Sequence, residues 1–121
     1  MSHYDHLYPE ATRDLAEQRS RLAPAPATAY RAFTQSVFVE GALSVAIKEL
    51  IAMAVAQATQ WSYCIRSHTR VAMQQGATAE PIMEGVWVAA EMRAGGAYAH
   101  SALALDAIAR TQAEKSSEGA K

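Results

Sequence analysis

From Leu50 to Ile65 the chain runs 16 residues without a charge. At helical spacing Ile47, Leu50, Ile51, Ala54, Val55 and Ala58 form one apolar stripe. The opposite side holds Glu49, Ala52, Met53 and Ala56, and it too is apolar after the first turn. A helix apolar on nearly all sides must be buried on nearly all sides. In a chain of 121 residues the second apolar side is expected to face another subunit. The stretch carries Gln57, Thr59, Gln60 and Ser62, which makes it too short and too polar to span a membrane.

Around this segment the pattern is helical throughout. No long alternating run of Val, Ile, Thr and Tyr occurs, and apolar residues recur at helical spacing. The spacing predicts a first helix from Pro9 to Leu22, broken by Ala23-Pro24-Ala25-Pro26. A second helix is expected from Ala27 to Val39, and Ser44 caps a third that ends at Thr59. A fourth begins at Trp61 or Ser62 and closes at Gly76. Thr78 caps a fifth, with Pro81 in its first turn and Arg93 near its end. Gly95-Gly96 is expected to separate it from a sixth, Ala97 to Ala113, followed by a mobile tail over 114–121. The fold class is all-α, about six helices in one oligomeric domain spanning 1–121, with no repeat or linker dividing it.

Composition narrows the function classes. A chain of this length buries roughly 65% of its unfolded surface, enough for one core. Half the residues are hydrophobic but only 7% are aromatic, since alanine supplies much of the apolar count. The net charge of −1 offers nothing to nucleic acid or an anionic membrane. One cysteine excludes an internal disulfide and fits a reducing compartment. The first ten residues hold no apolar run of the signal-peptide kind, so a soluble cytoplasmic protein is expected. His3 and His6, near that end, are assigned no role.

The chemistry centres on Cys64. His68 follows one helical turn later and shares its face. Glu49 is the last charge before the uncharged stretch that ends beside the thiol. A thiol, an imidazole and an isolated carboxylate are the parts needed to make and use a thiolate. Each has a plainer reading: Cys64 as a small buried hydrophobe, His68 as a polar contact between Arg66 and Arg70, Glu49 beside Lys48 at a solvated edge. Against these, Cys64 falls in the first turn of its helix, where free N–H groups and the dipole favour an anion. Arg66 and Arg70 favour a neutral, basic His68. Trp61, Tyr63, Arg66 and His100 are candidates for a substrate pocket, with Arg93 and His100 flanking the expected glycine turn. Trp61 and Trp87 also read as core or interface residues. No phosphate loop, zinc cluster or Ser-His-Asp set is visible, and no metal or cofactor is expected.

Gly41-Ala42-Leu43-Ser44, Lys48-Glu49-Leu50, Tyr63-Cys64-Ile65, His68 and Gly76-Ala77-Thr78 occur in an order and spacing that resembles the carboxymuconolactone decarboxylase family, specifically its alkylhydroperoxidase D (AhpD)-like branch. The resemblance covers about residues 24–110. It implies an all-α fold and obligate homo-oligomers, commonly trimers or hexamers. It also implies a thiol-dependent peroxidase in which the second cysteine of a Cys-x-x-Cys pair attacks peroxide and the first resolves the product. Carried over, Cys64 matches the attacking cysteine, Glu49 the acidic base and His68 the relay. Trp61 stands where the resolving cysteine belongs.

Three functions follow from that departure. The first is a one-cysteine peroxidase acting on a small-molecule substrate, its reductant an external thiol or another subunit's Cys64. The second is an acid–base enzyme like the family's decarboxylases, with Glu49 and His68 moving protons and Arg66 or Arg93 binding a carboxylate. The third is a non-catalytic oligomeric binding module.

Overall fold

The structure, a computed structural model, describes residues 8–120, so His3 and His6 lie outside the described residues. Six helices and no strand occur among them: α1 (Arg13–Leu22), α2 (Pro24–Val37), α3 (Val45–Thr59), α4 (Ser62–Gln74), α5 (Ala79–Ala99) and α6 (Ser101–Gly119). No helix among the described residues is long and apolar enough to cross a membrane.

The helix ends follow local chemistry. α1 begins at Arg13 instead of Pro9, because the Thr12 hydroxyl accepts the Leu15 N–H at 3.2 Å and sets the first turn there. α2 begins at Pro24, three residues before the expected start. Prolines in the first turn lose only N–H groups that would have had no helical partner, so Ala23 alone divides α1 from α2. α2 also ends at Val37 instead of Val39. Ser44 caps α3 as its sequence position implies, its hydroxyl accepting the Ile47 N–H at 3.2 Å, and Glu40 Oε1 takes the Val45 N–H at 3.1 Å.

Two helices end on a left-handed residue. Gly76, at φ 99°, closes α4 while the Ala77 N–H reaches back to the Ala72 carbonyl at 3.0 Å. Gln60, at φ 57°, closes α3 in the same way while the Trp61 N–H reaches the Ala56 carbonyl at 3.0 Å. Thr78 occupies the N-cap of α5 without a side-chain capping bond.

Gly95-Gly96 forms no turn. Neither glycine takes a positive φ, and α5 runs through both to Ala99. The break comes at His100, whose Nδ1–H donates to the Gly96 carbonyl at 2.7 Å. Residues 114–119, expected as a mobile tail, continue α6, where Glu114, Lys115 and Glu118 are good helix formers.

The core sits where α3 packs against both α4 and α5. Its buried apolar residues are Met53, Ala56, Ala72 and Ala89. The side of α3 turned inward carries Glu49, Met53 and Ala56. The bulkier stripe faces outward, with Ile47, Ile51 and Val55 about half exposed. α6 has no buried residue, and Met83, Trp87, Val88 and Met92 of α5 are exposed.

Close approach of α5 to α3 depends on Gly85, where an added Cβ would stand 2.9 Å from the terminal methyl of the fully buried Met53. Gly85→Val forces Met53 off its rotamer and is expected to cost about 1–3 kcal/mol. Urea unfolding followed by circular dichroism measures this, and Gly85→Ala, which adds the same Cβ but no branch and gains about 1 kcal/mol of helix propensity, should cost less.

Candidate active site

Glu49, on the inward face of α3, is only 5% exposed. A buried carboxylate needs a partner, and His68 of α4 provides one: its Nδ1 lies 2.6 Å from Glu49 Oε2. With Nδ1–H donating to the carboxylate, Nε2 is the nitrogen left for chemistry. Phe38, just past the end of α2, stacks on the same imidazole, with ring centroids 5.2 Å apart and planes inclined by 21°. Lys48, beside Glu49 in sequence, turns toward α2. Its Nζ donates to the Val37 and Val39 carbonyls at 2.8 and 2.6 Å, one on each side of Phe38. Lys48 is therefore a clamp between helices, where the sequence suggested a solvated edge.

Cys64 and His68 both line a cavity of about 600 Å³ between α2, α3 and the start of α4. Its walls are mostly apolar: Tyr30, Phe33 and Val37 from α2, Ile51 and Val55 from α3, and Trp61. A second cavity, lined by Thr34, Gln35, Val39, Ser67 and Val71, approaches the Glu49–His68 pair from its other side. Cys64 is partly buried, in the first turn of α4. Desolvation raises its thiol above the ordinary value, the opposite direction to the one expected from its place at a helix end.

Among the pocket candidates, Trp61 lines the cavity, 54% exposed at the N-cap of α4. Tyr63, Arg66 and His100 do not line it. The Tyr63 hydroxyl donates to the Pro9 carbonyl at 2.6 Å, and its ring meets Tyr8 edge-on at 5.8 Å. Arg66 lies on another face of α4 with Thr69, Arg70 and Met73. His100 serves the α5–α6 junction. Arg93 donates from Nη1 to the Ala58 carbonyl at 2.6 Å, tying α5 to the end of α3. Sequence reasoning missed Phe38 and the α2 aromatics Tyr30 and Phe33. Only the three-residue spacing of Tyr30 and Phe33 in an alanine-rich segment signalled a face with work to do. Among the described residues no three His, Cys, Asp or Glu side chains gather in a way that could hold a metal.

The model of the carboxymuconolactone decarboxylase family matches residues 24–107. Over 101 residues the chain is 50% identical to "Uncharacterized protein 4 in cox locus" of Paracoccus denitrificans, covering 84% of this chain and 90% of that one. An uncharacterized protein of Cupriavidus necator is 38% identical over 88 residues, covering 70% and 78%. A crystal structure of a Methanobacterium thermoautotrophicum protein superposes with TM-score 0.66 at 31% identity, over 69% of this chain and 93% of that one. The apo form of a carboxymuconolactone decarboxylase family protein from Legionella pneumophila gives 0.62 at 33% identity, over 78% and 88%. With the family model spanning both the clamp on α2 and the Glu49–Cys64–His68 site, the chain belongs to the carboxymuconolactone decarboxylase family.

Proposed function

We propose that this protein is an AhpD-like, thiol-dependent peroxidase working with a single cysteine. The observation that carries the reading is the convergence of Cys64 and His68 on one apolar cavity, with Glu49 fixing the imidazole from behind. His68 takes the thiol proton through Nε2, and Glu49 stabilises the imidazolium. The thiolate attacks one oxygen of a hydroperoxide. The S–O bond forms, the O–O bond breaks, and the leaving alkoxide takes the proton from His68 and departs as an alcohol. Cys64 is then a sulfenic acid. An external thiol attacks that sulfur and expels water. A second thiol equivalent frees Cys64 and leaves as a disulfide.

The cavity supports an organic substrate. Its volume of about 600 Å³ and aromatic walls suit a hydroperoxide with an apolar body. Trp61 supplies no thiol, so reducing equivalents come from outside the subunit. The acid–base alternative lacks an arginine in this cavity, since Arg66 and Arg93 both stand elsewhere, and Lys48, the cation that does line it, donates to the Val37 and Val39 carbonyls. The single free cysteine fits a reducing, cytoplasmic setting. We also propose homo-oligomerisation, trimeric or hexameric as the family resemblance implies, through the exposed apolar faces of α3, α5 and α6.

Cys64→Ser is expected to abolish consumption of cumene hydroperoxide with the helical circular dichroism unchanged. His68→Gln should lower kcat/KM by about 10²–10⁴-fold. Activity that survives Cys64→Ser overturns the peroxidase reading. Because burial raises the Cys64 thiol, thiolate accumulates only at higher pH. Iodoacetamide alkylation should be slower than that of free cysteine at pH 7 and keep climbing beyond about pH 8.5. In sedimentation velocity the wild type should run as an oligomer, and Trp87→Glu, at an exposed ring of α5, should yield smaller species.

A further inference from the structure

We infer that Lys48 is a positioning residue for His68, acting through Phe38. Two neighbouring residues of α3 reach the same imidazole by different routes. Glu49 holds its edge directly, Nδ1 to Oε2 at 2.6 Å. Lys48 holds its face indirectly. The ammonium binds the carbonyls of Val37 and Val39, and the residue between them, Phe38, lays its ring on the imidazole at 5.2 Å.

These contacts close a circuit from Lys48 through Phe38, His68 and Glu49 back to the α3 backbone. Each link removes one freedom of the imidazole. The Glu49 bond fixes which nitrogen is engaged, and the Phe38 face limits rotation about the bond to Cβ. The imidazole is then held in place on the wall of the cavity that Cys64 also lines.

The segment carrying Phe38 needs an external hold. α2 ends at Val37, the Phe38 N–H makes its last helical bond to the Thr34 carbonyl at 3.1 Å, and residues 39–43 then form bends with no helix or strand ladder to fix them. The clamp supplies it with two charge-assisted bonds from one ammonium. Lys48 itself touches no reacting atom in this scheme, and its effect on the imidazole passes through the Phe38 ring.

The stack predicts a spectroscopic signature, upfield ring-current shifts of the His68 ring protons caused by Phe38. Carbon–proton correlation spectra at fixed pH read it, with His68→Gln to assign the signals. Phe38→Leu should move them to ring-current-free positions. Lys48→Met should move them the same way, and the double variant should move them no further. Lys48→Arg, which keeps a cation able to bridge two carbonyls, should retain most of the shift. Arg93→Met removes a clamp of similar geometry elsewhere and should leave the signals in place, which separates positioning from general loosening. Should Lys48→Met fail to fold, Lys48→Gln, with a shorter neutral donor, takes its place. Signals unmoved in the folded Lys48 variant while Phe38→Leu shifts them, or displacements that add in the double variant, overturn the inference. The readout follows the imidazole and not the thiol, so it stands or falls separately from the peroxidase reading.

Discussion

A carboxylate buried at the meeting of three helices governs this structure. Glu49 can stay in the interior only while His68 answers it, and that requirement sets the register of α4 against α3. A slip of one residue along α4 would carry the imidazole about 100° around its helix and strand the carboxylate. Lys48, one position away on α3, faces the other direction and grips α2. The Lys48-Glu49 dipeptide thus orders two neighbours at once, and the candidate active site lies where their influences meet. The geometry of the candidate site and the packing of the helices share the same bonds here, so substitutions in this dipeptide act on both.

The thiol's environment sets the division of labour in the proposed chemistry. A reactive cysteine can be activated by its helix end or by an adjacent base. Cys64 sits at a helix N-terminus, yet desolvation by burial raises its pKa. In the proposed chemistry activation falls to the imidazole, which Glu49 holds at Nδ1 and Phe38 covers on one face. The same apolar wall that desolvates the thiol is the surface that would receive the apolar body of the proposed substrate. Trp61 enlarges that wall at the cost of an internal resolving thiol.

Local chemistry was legible in the sequence, and long-range geometry was not. The Ser44 cap, the Gly76 terminus and the Cys64–His68 face each rest on residues within one helical turn. Gly95-Gly96 misled because glycine breaks a helix only where something else ends it, and here the alternative cap is His100. The prolines at 24 and 26 misled in the opposite sense, since a breaker in the interior is a starter in the first turn. Glu49 and His68 could be paired as types of residue from sequence. Phe38, 30 positions before His68 in a bend, carries no periodic signal that connects it to the site.

The distribution of apolar mass bears on how such a chain stays folded. The buried apolar set is small, with alanine in three of its four positions, while Ile47, Ile51, Val55, Trp87 and Met92 remain substantially exposed. Ala at the α3–α4–α5 contact allows close helix approach but contributes little transfer free energy, about 25 cal/mol per Å² of apolar area buried. Ordering the backbone of each residue opposes folding by roughly 1–2 kcal/mol. Large side chains turned outward therefore hold most of the unspent hydrophobic stabilisation, and the proposed self-association is the step that uses it. On that reading the uncharged stretch has two duties. Its small side fits the helices of its own chain around Glu49, and its large side is kept for a neighbour. Assembly would then tighten the α3 scaffold from which both Glu49 and Lys48 reach toward His68.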